Sequence, residues 1–213
     1  MANYKKPDHW QLLARKEGYP ARSVYKLKEM DEKFGLLKSA RSGRAGLSLR
    51  ILDLGAAPGS WSLYILRKMP GVHLVSADLS PLSRQYDHGL FGGGNFRFIQ
   101  GDITDSAVRD SLSSAGPFNL IISDAAPATT GSRLIDATRS LELAEAVVSC
   151  AGSALAENGN LVIKIFQGED SAELLKQMKI LFKTAKSYKP QACRSDSFEE
   201  YYLGMGKKNN SNG

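Results

Sequence analysis

The sequence has only two cysteines, Cys150 and Cys193, and no Cys-x-x-Cys pair. That excludes a disulfide framework and a cysteine-based zinc site. The three histidines, His9, His73 and His88, are too scattered to hold a metal, and none is expected. No apolar run reaches the ~18 residues of a membrane span, so no membrane partner is expected. The start, Met1-Ala-Asn-Tyr-Lys-Lys, lacks the apolar stretch of a signal peptide. These absences leave a soluble, cytoplasmic protein as the simplest reading, and a monomer is expected.

What is present is a core and an uneven charge. Hydrophobic residues make up 42% of 213, enough to bury a single domain. Residues 1–50 hold 12 Lys+Arg against 5 Asp+Glu, and residues 51–175 hold 8 against 14. Residues 176–194 hold six basic residues and no acid. An acidic centre flanked by basic segments points to a polyanionic partner, RNA above all. The plainer reading is two solvated helix faces.

Short apolar runs alternate with helical stretches. Strands are expected at Arg50–Leu54, Val72–Ala77, Asn95–Gln100, Phe118–Ser123, Asn160–Phe166 and Glu200–Met205. Helices are expected at Pro20–Phe34, Ser60–Met69, Leu134–Ala156 and Ser171–Ala185. This alternation predicts an α/β fold, a doubly wound, Rossmann-like parallel sheet whose last strand is antiparallel. Residues 1–50 read as a basic helical extension with a Gly/Ser/Arg-rich connector over 39–48. Residues 51–206 form the main domain and 207–213 a polar tail.

Asp53-Leu-Gly-Ala-Ala-Pro-Gly-Ser-Trp61 follows the first strand and opens a helix. Gly55 and Gly59 let the backbone approach a ligand at the carboxyl ends of the strands. Asp53 before the turn repels a pyrophosphate and suits the ammonium of an amino-acid moiety. Asp78 ends the second strand, placed for ribose hydroxyls, and Asp102 follows the third, placed for an adenine amino group. One such acid is usually a cap or turn residue. Three in register fit an adenosyl amino acid, S-adenosyl-L-methionine. A nicotinamide dehydrogenase is disfavoured by Asp53 and by the missing Gly-x-Gly-x-x-Gly.

Asp124 ends the fourth strand, and Lys164 sits inside the apolar run Leu161-Val-Ile-Lys-Ile-Phe166. A charge in a buried strand is costly unless paired or neutralised, so Lys164 is a candidate base. A satisfied Asp–Lys pair that only fixes the sheet is the alternative.

Five segments in order resemble the FtsJ/RrmJ family of ribosomal RNA ribose 2′-O-methyltransferases. They are Ala21-Arg-Ser-Val-Tyr-Lys-Leu27, Asp53 to Trp61, Gln100-Gly-Asp102, Ser123-Asp-Ala-Ala-Pro127 and Val162-Ile-Lys-Ile-Phe-Gln-Gly168. The resemblance implies a Lys-Asp-Lys-Glu catalytic set at Lys26, Asp124, Lys164 and Glu200, with Glu199 adjacent. It implies cofactor contacts at Gly59, Trp61, Asp78, Asp102 and Asp124. The implied substrate is large-subunit ribosomal RNA, as RNA or in a ribosomal particle. Transfer RNA or messenger RNA cap ribose are alternatives, and a non-catalytic RNA-binding module is a rival. The chain departs from the family at Ala128-Thr-Thr-Gly131, where Asn-x-Ser-Gly is frequent.

Overall fold

The computed structural model describes residues 8–42 and 48–209. The strands are β1 (Arg50–Leu54), β2 (His73–Asp78), β3 (Phe96–Gln100), β4 (Phe118–Ser123), β5 (Leu155–Phe166), β6 (Phe182–Tyr188) and β7 (Glu199–Lys207). They form one sheet in the order β3-β2-β1-β4-β5-β7-β6. The first five run parallel, and β7 is antiparallel to both β5 and β6. The expected α/β sheet with an antiparallel last strand is what forms.

The helices are α1 (His9–Lys16), α2 (Val24–Phe34), α3 (Leu36–Ser42), α4 (Ser60–Lys68), α5 (Ser106–Ser114), α6 (Arg133–Ala154) and α7 (Ser171–Leu181). The first four cover one face and the last three the other. Strand alternation divides the core accordingly: Ile51 points into the α1–α4 layer, Leu52 and Leu54 into the α5–α7 layer. Apolar side chains on both faces are what a doubly covered parallel sheet requires. No described helix is long and apolar enough to cross a membrane.

The N-terminal helices belong to this core. Ala14, Leu27, Met30 and Leu36 are buried with Ile51 and Leu63. Asp31 fastens three helices: its carboxylate accepts from Leu37 N–H at 2.9 Å, Tyr64 O–H at 2.8 Å and Lys68 Nζ at 2.7 Å. Helix α2, which carries Lys26, is thereby held rigidly over the sheet.

Several elements differ from expectation. The helix expected to run to Ala185 stops at Leu181, and Phe182–Tyr188 becomes an edge strand. Pairing along β7 decides this, because local spacing in that segment suits a helix and a strand equally. Helix α5 has no counterpart in the sequence reading; its cap is Asp105, whose side chain accepts from Ala107 N–H. Strand β5 begins at Leu155, five residues early, through an irregularity in its pairing with β4. The expected connector begins inside α3; its residues 43–47, and 210–213 of the tail, lie outside the described residues.

Candidate active site

The sheet order reverses between β1 and β4, and the loops after these strands meet there. Gly55 has φ +71°, and a Cβ on it would lie 2.4 Å from the Ala125 Cα. Only glycine permits that approach of the loop after β1 to the loop after β4. Both loops border a cleft of about 230 Å³ at the carboxyl ends of the strands.

Three of the expected acids, Asp78, Asp102 and Asp124, line this cleft together with Gly55, and among the described residues no basic one does. Asp78 accepts from the N–H groups of Ala57 and Ser80, both at 2.8 Å, so it also shapes the loop. The backbone N–H and hydroxyl of Thr104 both donate to Asp102 Oδ1 and hold its carboxyl below the ordinary range. Leu79 and Ile103 supply apolar walls beside these acids.

Asp53 does not line the cleft, contrary to expectation. Its side chain points the other way from Leu52 and Leu54, under α4, where it is fully buried. Oδ2 accepts from Ser62 Oγ at 2.7 Å, and Oδ1 has no partner among the described residues. Burial pushes its carboxyl up to about 7, outweighing the Ser62 hydrogen bond, with Asp124 and Asp78 adding repulsion. Gly59 and Trp61 do not border the cleft either. Gly59 faces Phe91, and the buried Trp61 donates its indole N–H to the Ser23 carbonyl at 2.8 Å. Trp61 thus ties the loop helix α4 to the approach of α2.

A charged cluster adjoins the cleft at Asp124. The parallel register sets Ser123 opposite Ile163, so the next residues, Asp124 and Lys164, meet. Lys164 Nζ lies 3.0 Å from Asp124 Oδ1 and also donates to the Asp124 backbone carbonyl. Lys26, from α2, lies 2.8 Å from Glu199 Oε2, with both side chains about one-tenth exposed. Tyr201 joins the two pairs: its hydroxyl donates to Asp124 Oδ1 at 2.6 Å, and Lys26 Nζ is 5.8 Å from its ring centroid.

The charges support one another. Burial pushes the Asp124 carboxyl up, but Lys164 and Lys26 outweigh it and hold the group below its ordinary range. Burial pushes Lys26 down, but Asp124 and Glu199 outweigh it and hold the ammonium above its ordinary range. Burial, Asp124 and Glu199 push the Tyr201 phenol well up, so it remains a donor.

The glutamate that pairs with Lys26 is Glu199, the neighbour of the expected Glu200. Side chains alternate along β7: Tyr201 lies in the α1–α4 layer, Tyr202 in the α5–α7 layer. Glu199 shares the face of Tyr201 and Glu200 that of Tyr202. Tyr201 itself was missed, although the same period of two from Glu199 could have found it.

Lys176, Lys179, Lys183 and Lys186 recur at helical three- and four-residue spacing, which predicts one shared helix face, but they are separated. Lys176 and Lys179 lie on α7, whereas Lys183 and Lys186 lie on β6. Lys183 donates to Asn158 Oδ1, and Lys186 rests 4.1 Å from the Phe34 ring centroid, on the opposite face.

Residues 19–207 match the family model described as FtsJ-like methyltransferase. The chain is 44% identical over 207 residues to the ribosomal RNA large subunit methyltransferase E of Treponema denticola, covering 96% of this chain and 97% of that one. It is 40% identical to the protein of the same name in Borrelia garinii subsp. bavariensis, covering 94% and 97%. Among solved structures, a ribosomal RNA methyltransferase of Plasmodium falciparum superposes with TM-score 0.69 at 24% identity, over 89% of this chain and 98% of that one. Human methyltransferase-like protein 13, solved in complex with SAH, superposes with TM-score 0.54 at 12% identity over 89% and 81%. These last two are similar in fold.

Proposed function

The chain belongs to the FtsJ-like methyltransferase family, and on that premise we propose that it methylates a ribose 2′-oxygen of large-subunit ribosomal RNA, using S-adenosyl-L-methionine. One observation carries the reading: Asp124 borders the acidic cleft and also contacts Lys164 and Tyr201. A ligand in the cleft is thus brought beside a lysine.

The cleft fits the cofactor by its donor set. Three carboxylates without a basic residue disfavour a pyrophosphate and suit a ligand bearing an ammonium and a sulfonium. Asp78 is assigned to ribose hydroxyls and Asp102 to the adenine amino group, with Leu79 and Ile103 against the base. Asp124 is assigned to the amino-acid end. When bound, the cofactor supplies an electrophilic methyl group on a positively charged sulfur.

The chain's own residues do the rest. With the methyl group supplied by the cofactor, Lys164 in its neutral form would take the proton of the attacking 2′-hydroxyl as general base. Asp124 holds the Lys164 Nζ in place, and Tyr201 fixes Asp124. Lys26, kept charged by Asp124 and Glu199, stabilises negative charge growing on the attacking oxygen. Positioning of the two reactants supplies much of the remaining acceleration.

The test is methyl transfer from labelled S-adenosylmethionine to large ribosomal subunits, free ribosomal RNA, transfer RNA and capped messenger RNA in parallel. A 2′-O-methyl ribose in large-subunit RNA, absent with Lys164→Ala, is the expected product. Preference for transfer RNA would overturn the ribosomal assignment.

A further inference from the structure

Two grooves on the α1–α2 side of the protein share one wall, the indole of Trp10. The first, of about 440 Å³, lies between α1 and the 193–196 turn and is bordered by Cys193 and the exposed Arg194. The Cys193 side of this groove adjoins the catalytic cluster, since the thiol interacts with Glu199, the partner of Lys26. The second, of about 620 Å³, runs along α2 and is bordered by Lys28, Lys33 and Tyr188.

Rings and cations alternate along this second groove. Lys33 Nζ lies 4.2 Å from the Tyr188 ring centroid. Lys28 Nζ lies 5.0 Å from the Tyr25 ring centroid. Trp10 packs at a tilt on Tyr25, centroids 5.0 Å apart, and stays partly exposed. Glu29, also on this wall, is occupied: it accepts from the Tyr188 hydroxyl and the Gln191 N–H. Lys28 is paired with Glu17, and Glu32 also borders the groove, so Lys33 is the cation that faces it beside the partly exposed Trp10 and Tyr188 rings.

We propose that the two grooves form one track for an unpaired RNA strand, in which nucleotides flanking the target ribose pass Arg194 and a base stacks on Trp10. The proposal rests on the RNA methyltransferase reading and adds the state of the RNA. A lysine-rich surface alone would suit any polyanion. Aromatic faces interleaved with cations suit bases that are out of a duplex, since a paired base offers no free face. The phosphates meet Lys33 and Arg194 while the base meets the ring.

The full chain is titrated with a labelled single-stranded oligouridylate and with an RNA duplex of the same length. Anisotropy gives affinity, and tryptophan emission reports stacking. The sequence has two tryptophans, and Trp61 is 2% exposed, so quenching reports Trp10. The single strand should quench emission and bind more tightly than the duplex. Trp10→Ala should weaken single-strand binding by about tenfold, the weight of one stacked base. Trp10→Phe should restore most of it, because a phenyl ring keeps a face for a base. Lys33→Gln should lower the salt slope by about one counterion. Cofactor affinity should be unchanged in all three. Unchanged emission at saturation, equal affinity for the duplex, or wild-type affinity in Trp10→Ala would overturn the track and leave the grooves to a protein partner. If those results came while Lys164-dependent methylation persisted, the methyltransferase reading would stand. If the wild-type protein methylated no RNA, that reading would fall and the track with it.

Discussion

The Nζ of Lys26 lies 2.8 Å from Oε2 of Glu199, across 173 positions of sequence. This buried contact joins helix α2, near the beginning of the chain, to strand β7, near its end. It brings an early helix and the last strand together at the candidate active site. Breaking a buried pair leaves one charge unpaired in low dielectric. Glu199→Ala should therefore lower stability by about 3 kcal/mol and also lower methyl transfer. Glu200→Ala should do much less of either. Chemical denaturation and turnover of both variants check the assignment.

Lys164→Ala should abolish methyl transfer and leave cofactor affinity nearly intact, since the lost group acts on the attacking oxygen. Lys164→Arg should be equally inactive, because a guanidinium does not give up its proton. Calorimetry with S-adenosylmethionine beside single-turnover assays separates binding from chemistry. Substantial transfer by either variant would remove Lys164 as the base.

Tyr201→Phe deletes the hydrogen bond to Asp124 and keeps the ring against Trp61, at a centroid distance of 6.0 Å. Turnover should fall by roughly tenfold, the scale of one hydrogen bond to a charged group, with folding retained. An unchanged rate would reduce Tyr201 to packing.

Asp78→Ala and Asp102→Ala should each weaken S-adenosylmethionine binding by roughly tenfold or more, as buried polar groups of the ligand lose partners. Asp78→Ala should also lower the melting temperature more than Asp102→Ala, because Asp78 ties the backbone N–H groups of two separate loops whereas Asp102 holds only the local turn at Thr104. Unaltered affinity in both variants would contradict the placement of the cofactor.

Asp53 is raised from 3.8 to about 7 in the folded protein. The native state thus holds this proton more tightly than the unfolded chain does, so its contribution to stability falls as pH rises from about 4 to about 7. Asp53→Asn should remove that slope and stabilise the cofactor-free protein at pH 8. Denaturation midpoints across that range, with wild type and variant side by side, give the answer. A parallel pH dependence in both would show that Asp53 titrates normally.

Much of the site was legible because its residues follow strands. Asp78, Asp102 and Asp124 each end or follow an apolar run, and in a parallel sheet those ends converge on one edge. The strand-interior position of Lys164 marked it for the same reason. Parity is what strand ends leave open: Asp53 and Glu200 lie beside the right strand ends, yet Asp53 turns away from the cleft and Glu200 away from Lys26. Trp61 was tied to the loop by sequence, yet its indole turns toward α2.

The sequence by itself determined the α/β class, the glycine-hinged loop and the acidic strand ends, because strand and turn propensities and the period of two act locally. Tertiary structure decided what local signals leave open. Whether Phe182–Tyr188 is helix or strand depends on β7 offering an edge to pair with. Which glutamate meets Lys26 depends on the register of β7 against β5, where Phe166 faces Glu199 and Lys164 faces Tyr201. Whether residues 8–42 form an appendage or part of the core depends on Leu27, Met30 and Leu36 finding Ile51 and Leu63. Each of these is a contact between residues far apart in the chain, whose free energy exists only once the sheet has brought them together.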